Sequence, residues 1–294
     1  MSLHKPTLFC GVATALITPF CEGEIDYPAL GALIDRQLDS NVDALLVAGT
    51  TGESATLSVR ELYELTAFAK ERIGGRVPLL AGCGSNSTAH AVELAKTACE
   101  GGADGLLAVT PYYNKASDRG LLAHYQALAD AADRPLILYN VPSRTGYHLT
   151  MEHYRELAKH ENIVAVKEAS GNLGLLEALC DECGDDLDVY TGNDYQLVAS
   201  MKLGGSGVIS VISNLLPAES VELYRLCACG EWRAAGAKQR ALFQRMQALF
   251  WEVNPIPVKF VASLMGLCQP EYRLPLCAPA PDTAKRLRAI FMEG

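Results

Sequence analysis

No run of about eighteen apolar residues occurs in this 294-residue chain, so no segment is expected to span a membrane. The first residues, Met1-Ser2-Leu3-His4-Lys5-Pro6, hold no apolar signal core, and a cytoplasmic location is the expectation. Positive charge is scarce: 25 Lys and Arg face 34 Asp and Glu, and nowhere do the basic residues form a stripe. Phosphate backbones need concentrated positive charge, so nucleic acid is not an expected partner, whereas a small acidic substrate needs only local charge. Zinc-type spacing is missing as well. Ten cysteines include two close pairs, Cys180/Cys183 and Cys227/Cys229, but no Cys/His pair at metal-ligand spacing accompanies them. They read as reduced thiols behaving as small hydrophobes. Low-complexity tracts and Gly/Ser/Pro linkers are also lacking. Asn86-Ser87-Thr88 matches a glycosylation acceptor, but in a cytoplasmic protein it reads as the cap of the next helix.

What the chain does have is alternation. Short apolar runs rich in Val, Ile, Leu and Ala begin near Phe9, Ala44, Val77, Gly105, Pro135, Ile163, Leu187 and Gly207. Such runs fit strands buried on both faces. Helical patterns lie between them. Asp26 precedes a stripe of Leu30, Leu33, Ile34 and Leu38; Ser58 and Glu61 form a capping box before Leu62, Leu65, Ala69 and Ile73. Asn172 opens a third pattern, and glycine pairs at 74–75, 101–102 and 204–205 mark helix stops. Eight strands with helical crossovers predict an α/β fold, a (β/α)₈ TIM barrel over 1–217, with a C-terminal helical extension over 218–294 packed on it.

Active sites of such barrels form where strands end. The unusual polar residues gather there: Gly49-Thr50-Thr51-Gly52-Glu53, Thr110-Pro111-Tyr112-Tyr113-Asn114, Tyr139 to Gly146, Thr191-Gly192-Asn193-Asp194 and Val208-Ile209-Ser210. Lys167 closes the run Ile163-Val164-Ala165-Val166-Lys167-Glu168. A lysine at a strand end usually reaches solvent; burial instead would disfavour its charge and leave a nucleophilic amine suited to Schiff-base chemistry. With a period of two, Lys167 shares a face with Ala165 and Ile163 while Glu168 points away, so Glu168 is not expected to pair with it.

From about Gly11 to Pro275 the chain resembles the dihydrodipicolinate synthase family, within the N-acetylneuraminate lyase superfamily of class I, Schiff-base aldolases. The carriers are Ala48 to Leu57 (AGTTGESATL), Val109 to Asn114 (VTPYYN), Leu138 to Gly146 (LYNVPSRTG), Val166 to Ser170 (VKEAS), Gly207 to Ser210 (GVIS) and Asn254 to Lys259 (NPIPVK). Arg144 and the Thr-Thr pair side with the synthases over the sialic-acid lyases and sugar-acid aldolases of the superfamily. The resemblance implies that Lys167 forms an imine with pyruvate and that Thr51, with its amide, holds the pyruvate carboxylate. It implies a proton relay of Tyr139, Thr50 and Tyr113, the last from a neighbouring subunit. Arg144 would grip the carboxylate of L-aspartate 4-semialdehyde, and Gly192 and Ile209 would line the pocket through their carbonyls. It further implies no metal or organic cofactor, a cytoplasmic lysine/diaminopimelate biosynthetic lyase, and a homotetramer built from tight dimers.

In feedback-inhibited members lysine binds near the positions of Ser54, Ala55, Asn86, His90 and Tyr112. Here His90 stands where those members carry a Glu that reads the effector's ammonium group, and Val59 replaces a His, so weak or absent inhibition is expected. Two rival readings stay open: another pyruvate-dependent aldolase using the same lysine, and a non-catalytic binding protein that has kept the scaffold.

Overall fold

The computed structural model describes residues 5–293. Eight strands form a closed barrel: β1 (Gly11–Ala15), β2 (Ala44–Val47), β3 (Leu79–Gly82), β4 (Gly105–Val109), β5 (Leu136–Asn140), β6 (Ile163–Glu168), β7 (Asp188–Thr191) and β8 (Gly207–Ser210). Every pairing is parallel, each strand lies beside its neighbours in sequence, and β8 closes on β1 through Gly11 opposite Gly207. This is the expected TIM barrel. Its strands are buried on both faces, which is why their sequences read as continuous apolar runs.

Two apolar layers follow. Outside the barrel, the stripe Leu30, Leu33 and Ile34 of helix Tyr27–Asp39 and the stripe Leu62, Leu65 and Ala69 of helix Val59–Ile73 pack on the strands. Each fully buried leucine contributes about 1.5–3 kcal/mol. Inside, Ala13, Leu46, Leu107, Ile137, Ala165 and Ile209 belong to a separate cluster. Phe9 stacks on Tyr190 at a centroid distance of 4.2 Å, and the Tyr190 hydroxyl donates to the Phe9 carbonyl at 2.7 Å.

The start signals hold at atomic level. Asp26 accepts from the Ala29 amide at 3.0 Å, Ser58 and Glu61 form a reciprocal capping box, and Asn172 accepts from the Leu175 amide at 3.2 Å. Ser87 precedes helix Thr88–Glu100, yet its side chain makes no cap bond, so that reading is corrected to a positional one. All ten cysteines are free; Cys83, Cys183 and Cys227 are buried as small hydrophobes, whereas Cys10, Cys21, Cys229 and Cys277 are exposed.

Helix Pro217–Ala228 follows β8 and packs against β1, completing the outer ring. Helices Trp232–Ala248, Ile256–Leu264 and Pro281–Met292 come after it. Among the described residues no helix is long and apolar enough to cross a membrane.

One expectation fails at β6. Leu136 pairs with Ile163 but Ile137 pairs with Ala165, so a bulge inserts Val164. Ile163 therefore faces the outer helices, while Val164 and Ala165 join the inner cluster. Lys167 shares its face with Ala165 and not with Ile163.

Candidate active site

Lys167 stands opposite Tyr139 on β5 and Tyr190 on β7, both members of the inner cluster. It is only 6 % exposed, and its amine lies 4.4 Å from the centre of the Tyr139 ring. Burial brings the Lys167 pKa down to about 7; the buried carboxylate of Asp194 opposes this shift and the Arg144 charge adds to it. A substantial neutral fraction therefore exists near neutrality. Glu168 takes no part in this, as expected from its parity. It accepts from Asn140 Nδ2 at 2.8 Å, the Tyr154 hydroxyl at 3.0 Å and the Ser170 amide at 2.6 Å on the opposite side of the sheet.

The amine opens on a cavity of about 500 Å³ whose walls include Thr50, Thr51, Tyr139, Arg144, Lys167 and Gly192. Thr50 and Tyr139 line the cavity together, and Thr50 lies near enough to the phenol to act on its proton. Burial raises the Tyr139 pKa, with Arg144 and Thr50 acting against it, so the phenol holds its proton. Arg144 lies on a short helix, Pro142–Thr145, and its side chain reaches the mouth of the cavity. Gly192 is required for space. A Cβ there would come within 2.7 Å of Ala169 Cβ and 3.0 Å of Lys167 Cε, closer than packed carbons sit.

The Thr50-Thr51 loop is built under constraint. Ala48 (φ 49°) and Glu53 (φ 57°) both adopt left-handed backbone, at a cost of about 1–3 kcal/mol each. The surrounding structure enforces it: Thr18 Oγ1 donates to the Gly52 carbonyl at 2.7 Å, and Lys259 Nζ donates to Glu53 Oε1 at 2.6 Å with both side chains fully buried.

Two expected site residues lie elsewhere. Ile209 is wholly buried in the inner cluster and does not line the cavity. Tyr113 is 89 % exposed with φ 72° and stays outside the cavity of its own chain. Of the expected effector set, Ser54, Ala55, His90 and Tyr112 line a second cavity of about 380 Å³, whereas Asn86 does not; its carbonyl accepts from Asn114 Nδ2 at 3.0 Å. The two cavities share Thr50, Leu107, Tyr139, Arg144, Val253 and Asn254.

Two contributors carried no assigned role in the sequence. Asp194, buried just after β7 and accepting from the Val211 and Ile212 amides at 3.0 Å each, is a carboxylate whose charge favours protonation of Lys167 without pairing with it directly. The strap Phe250 to Asn254 forms one wall of the first cavity. The only sequence signal for the strap was the NPIPVK motif at its end, which carried no role by itself.

A buried lysine at the carboxyl end of a barrel strand, facing hydroxyls and a guanidinium, defines a Schiff-base lysine enzyme on a (β/α)₈ scaffold. More narrowly, the chain belongs to the Dihydrodipicolinate synthetase family, which it matches over residues 8–293. It is 47 % identical to the 4-hydroxy-tetrahydrodipicolinate synthase of Caldicellulosiruptor bescii, over 98 % of this chain and 97 % of that one. It is 43 % identical to the synthase of the same name from Geobacter sulfurreducens, over 97 % and 99 % respectively. The crystal structure of dihydrodipicolinate synthase from Aquifex aeolicus superposes with a TM-score of 0.94 at 42 % identity, covering 97 % of this chain and 98 % of the other.

Proposed function

We propose that the chain is a 4-hydroxy-tetrahydrodipicolinate synthase, condensing pyruvate with L-aspartate 4-semialdehyde. The observation that carries this reading is the placement of Lys167, Thr51 and Arg144 on one cavity, an amine with two carboxylate-binding groups. Neutral Lys167 adds to the keto carbon of pyruvate, and loss of water leaves an imine. Thr51 and its amide hold the pyruvate carboxylate. The methyl group loses a proton to give the enamine, whose carbon attacks the aldehyde of the second substrate. That substrate's amine then displaces Lys167, closing the ring and restoring the enzyme. Tyr139 and Thr50 carry protons for these steps, and general acid-base help of this kind is worth about 10²–10⁴-fold. Gly192 keeps the space beside Lys167 open.

The planar fork of Arg144 suits the carboxylate of the semialdehyde. The exposure of Tyr113 supports its delivery to the relay of a neighbouring subunit, in a homotetramer built from dimers. His90 faces Glu93 at 3.0 Å and brings an imidazole, not a carboxylate, to this position, so lysine inhibition is expected to be weak or absent. Sub-millimolar inhibition in a lysine titration would overturn that last point.

The test of the function is the initial rate of pyruvate consumption with L-aspartate 4-semialdehyde. Lys167→Ala abolishes it. Arg144→Ala raises KM for the semialdehyde by roughly one to two decades, the value of a charge-assisted bond. Rapid cleavage of a 2-keto-3-deoxy sugar acid without turnover of the semialdehyde would favour the aldolase rival instead.

A further inference from the structure

Asn254 joins the C-terminal strap to both carboxylate-binding groups. Its side-chain Nδ2 donates to Thr51 Oγ1 at 2.9 Å, across 203 residues of sequence. Its main-chain carbonyl accepts from Arg144 Nη2 at 3.3 Å. The residue is 5 % exposed, and its Oδ1 is buried without a partner. The helix that begins just after it, Ile256–Leu264, is anchored by the buried Lys259–Glu53 pair and by the Tyr272 hydroxyl, which donates to the Ile256 carbonyl at 3.2 Å. Asn254 is thus held from both sides.

A hydroxyl has one proton and two lone pairs. With Nδ2 taking a lone pair of Thr51 Oγ1, the Thr51 proton is free for an acceptor in the cavity. The opposite amide orientation would set Oδ1 against Thr51 and draw that proton away. It would satisfy Oδ1 at the expense of the donor the cavity needs, and the orphaned oxygen is the counterpart of keeping that donor.

We propose that Asn254 is a positioning residue: it fixes Thr51 as a proton donor to the pyruvate carboxylate and holds Arg144 at the mouth, so that one residue of the C-terminal extension registers the two carboxylate sites against each other. This rests on the roles given to Thr51 and Arg144 above. It assigns the extension a part in substrate recognition beyond packing on the barrel.

The experiment is the pyruvate dependence of borohydride trapping of Lys167, which needs no second substrate. Asn254→Ala raises the half-saturating pyruvate concentration about ten-fold while trapping at saturation stays complete. In a Thr51→Val background the same change adds nothing, because its effect passes through the Thr51 hydroxyl. Asn254→Asp has a signature that a mere brace lacks. The introduced carboxylate repels pyruvate at neutral pH, and the penalty, taken relative to the wild type at the same pH, shrinks as acid protonates it. An unchanged half-saturation in Asn254→Ala, an additive effect in the Thr51→Val background, or a pH-independent Asn254→Asp defect would each overturn the proposal. Should the alanine variant not fold, the aspartate pH profile decides alone. Failure of the wild type itself to trap pyruvate would remove the Schiff-base reading and this one with it, whereas normal wild-type trapping isolates the role of Asn254.

Discussion

Burial of Lys167 sets two pH responses on a single side chain, both rising with pH but in successive windows. Its pKa of about 7 in the fold lies below the ordinary 10.5, so kcat/KM for pyruvate rises with pH and levels off above about 7. Stability follows from the same shift. Below about 7 the amine is charged in both folded and unfolded chains, and the fold bears the whole cost of burying the charge. Between about 7 and 10.5 the unfolded chain binds more protons, so that cost fades as pH rises. Lys167→Met is therefore expected to melt higher than the wild type at neutral and acid pH, with the gap closing toward pH 10.5. Melting curves over that range check the sign; a gap that widens with pH would contradict it. Gly192→Ala offers a second probe, since its methyl would collide with Lys167 Cε and Ala169 Cβ. Trapping of pyruvate is expected to fall at least ten-fold with the melting temperature little changed. Lys167 was legible in the sequence because a charged residue interrupted an apolar strand. Asp194 was not, because its effect on Lys167 depends on burial and on the bonds it accepts from Val211 and Ile212.

The elements that build the site are local in some places and distant in others. Strand and helix alternation could be read from sequence since each βα unit carries its own pattern and caps, as Asp26, Ser58 and Asn172 demonstrate. The bulge at Val164 could not, because a register shift belongs to the pairing of β5 with β6 and leaves no mark on either strand alone. The contact of Asn254 with Thr51 spans 203 residues and is equally invisible to local patterns. The Lys259–Glu53 pair ties these distant elements together, and its energetics are asymmetric. Lys259→Met leaves Glu53 buried without its cation and should cost about 3–5 kcal/mol, while adding Glu53→Gln should return part of that loss. Chemical denaturation of the single and double variants reads the coupling; strictly additive losses would show that the pair does not act as a unit.

On the scale of the whole molecule, the barrel supplies Lys167, Tyr139, Thr50 and Thr51 from its strand ends, the short helix supplies Arg144, and the strap closes one side. The outlying piece is Tyr113, exposed and in left-handed backbone outside its own cavity. If it completes the relay of a neighbour, Lys167→Ala and Tyr113→Phe chains mixed and reassembled will recover activity that neither has alone, because a mixed pair contains one complete site. No recovery, with mixed pairs demonstrated by native mass spectrometry, would place the whole site in one subunit.

The most direct test is mass spectrometry of the intact chain after borohydride reduction with pyruvate. One reduced pyruvyl adduct per chain, located on Lys167 by peptide mapping and absent from Lys167→Ala, is the expected result. An unmodified chain, or an adduct on another lysine such as Lys259, would contradict the Schiff-base role of Lys167.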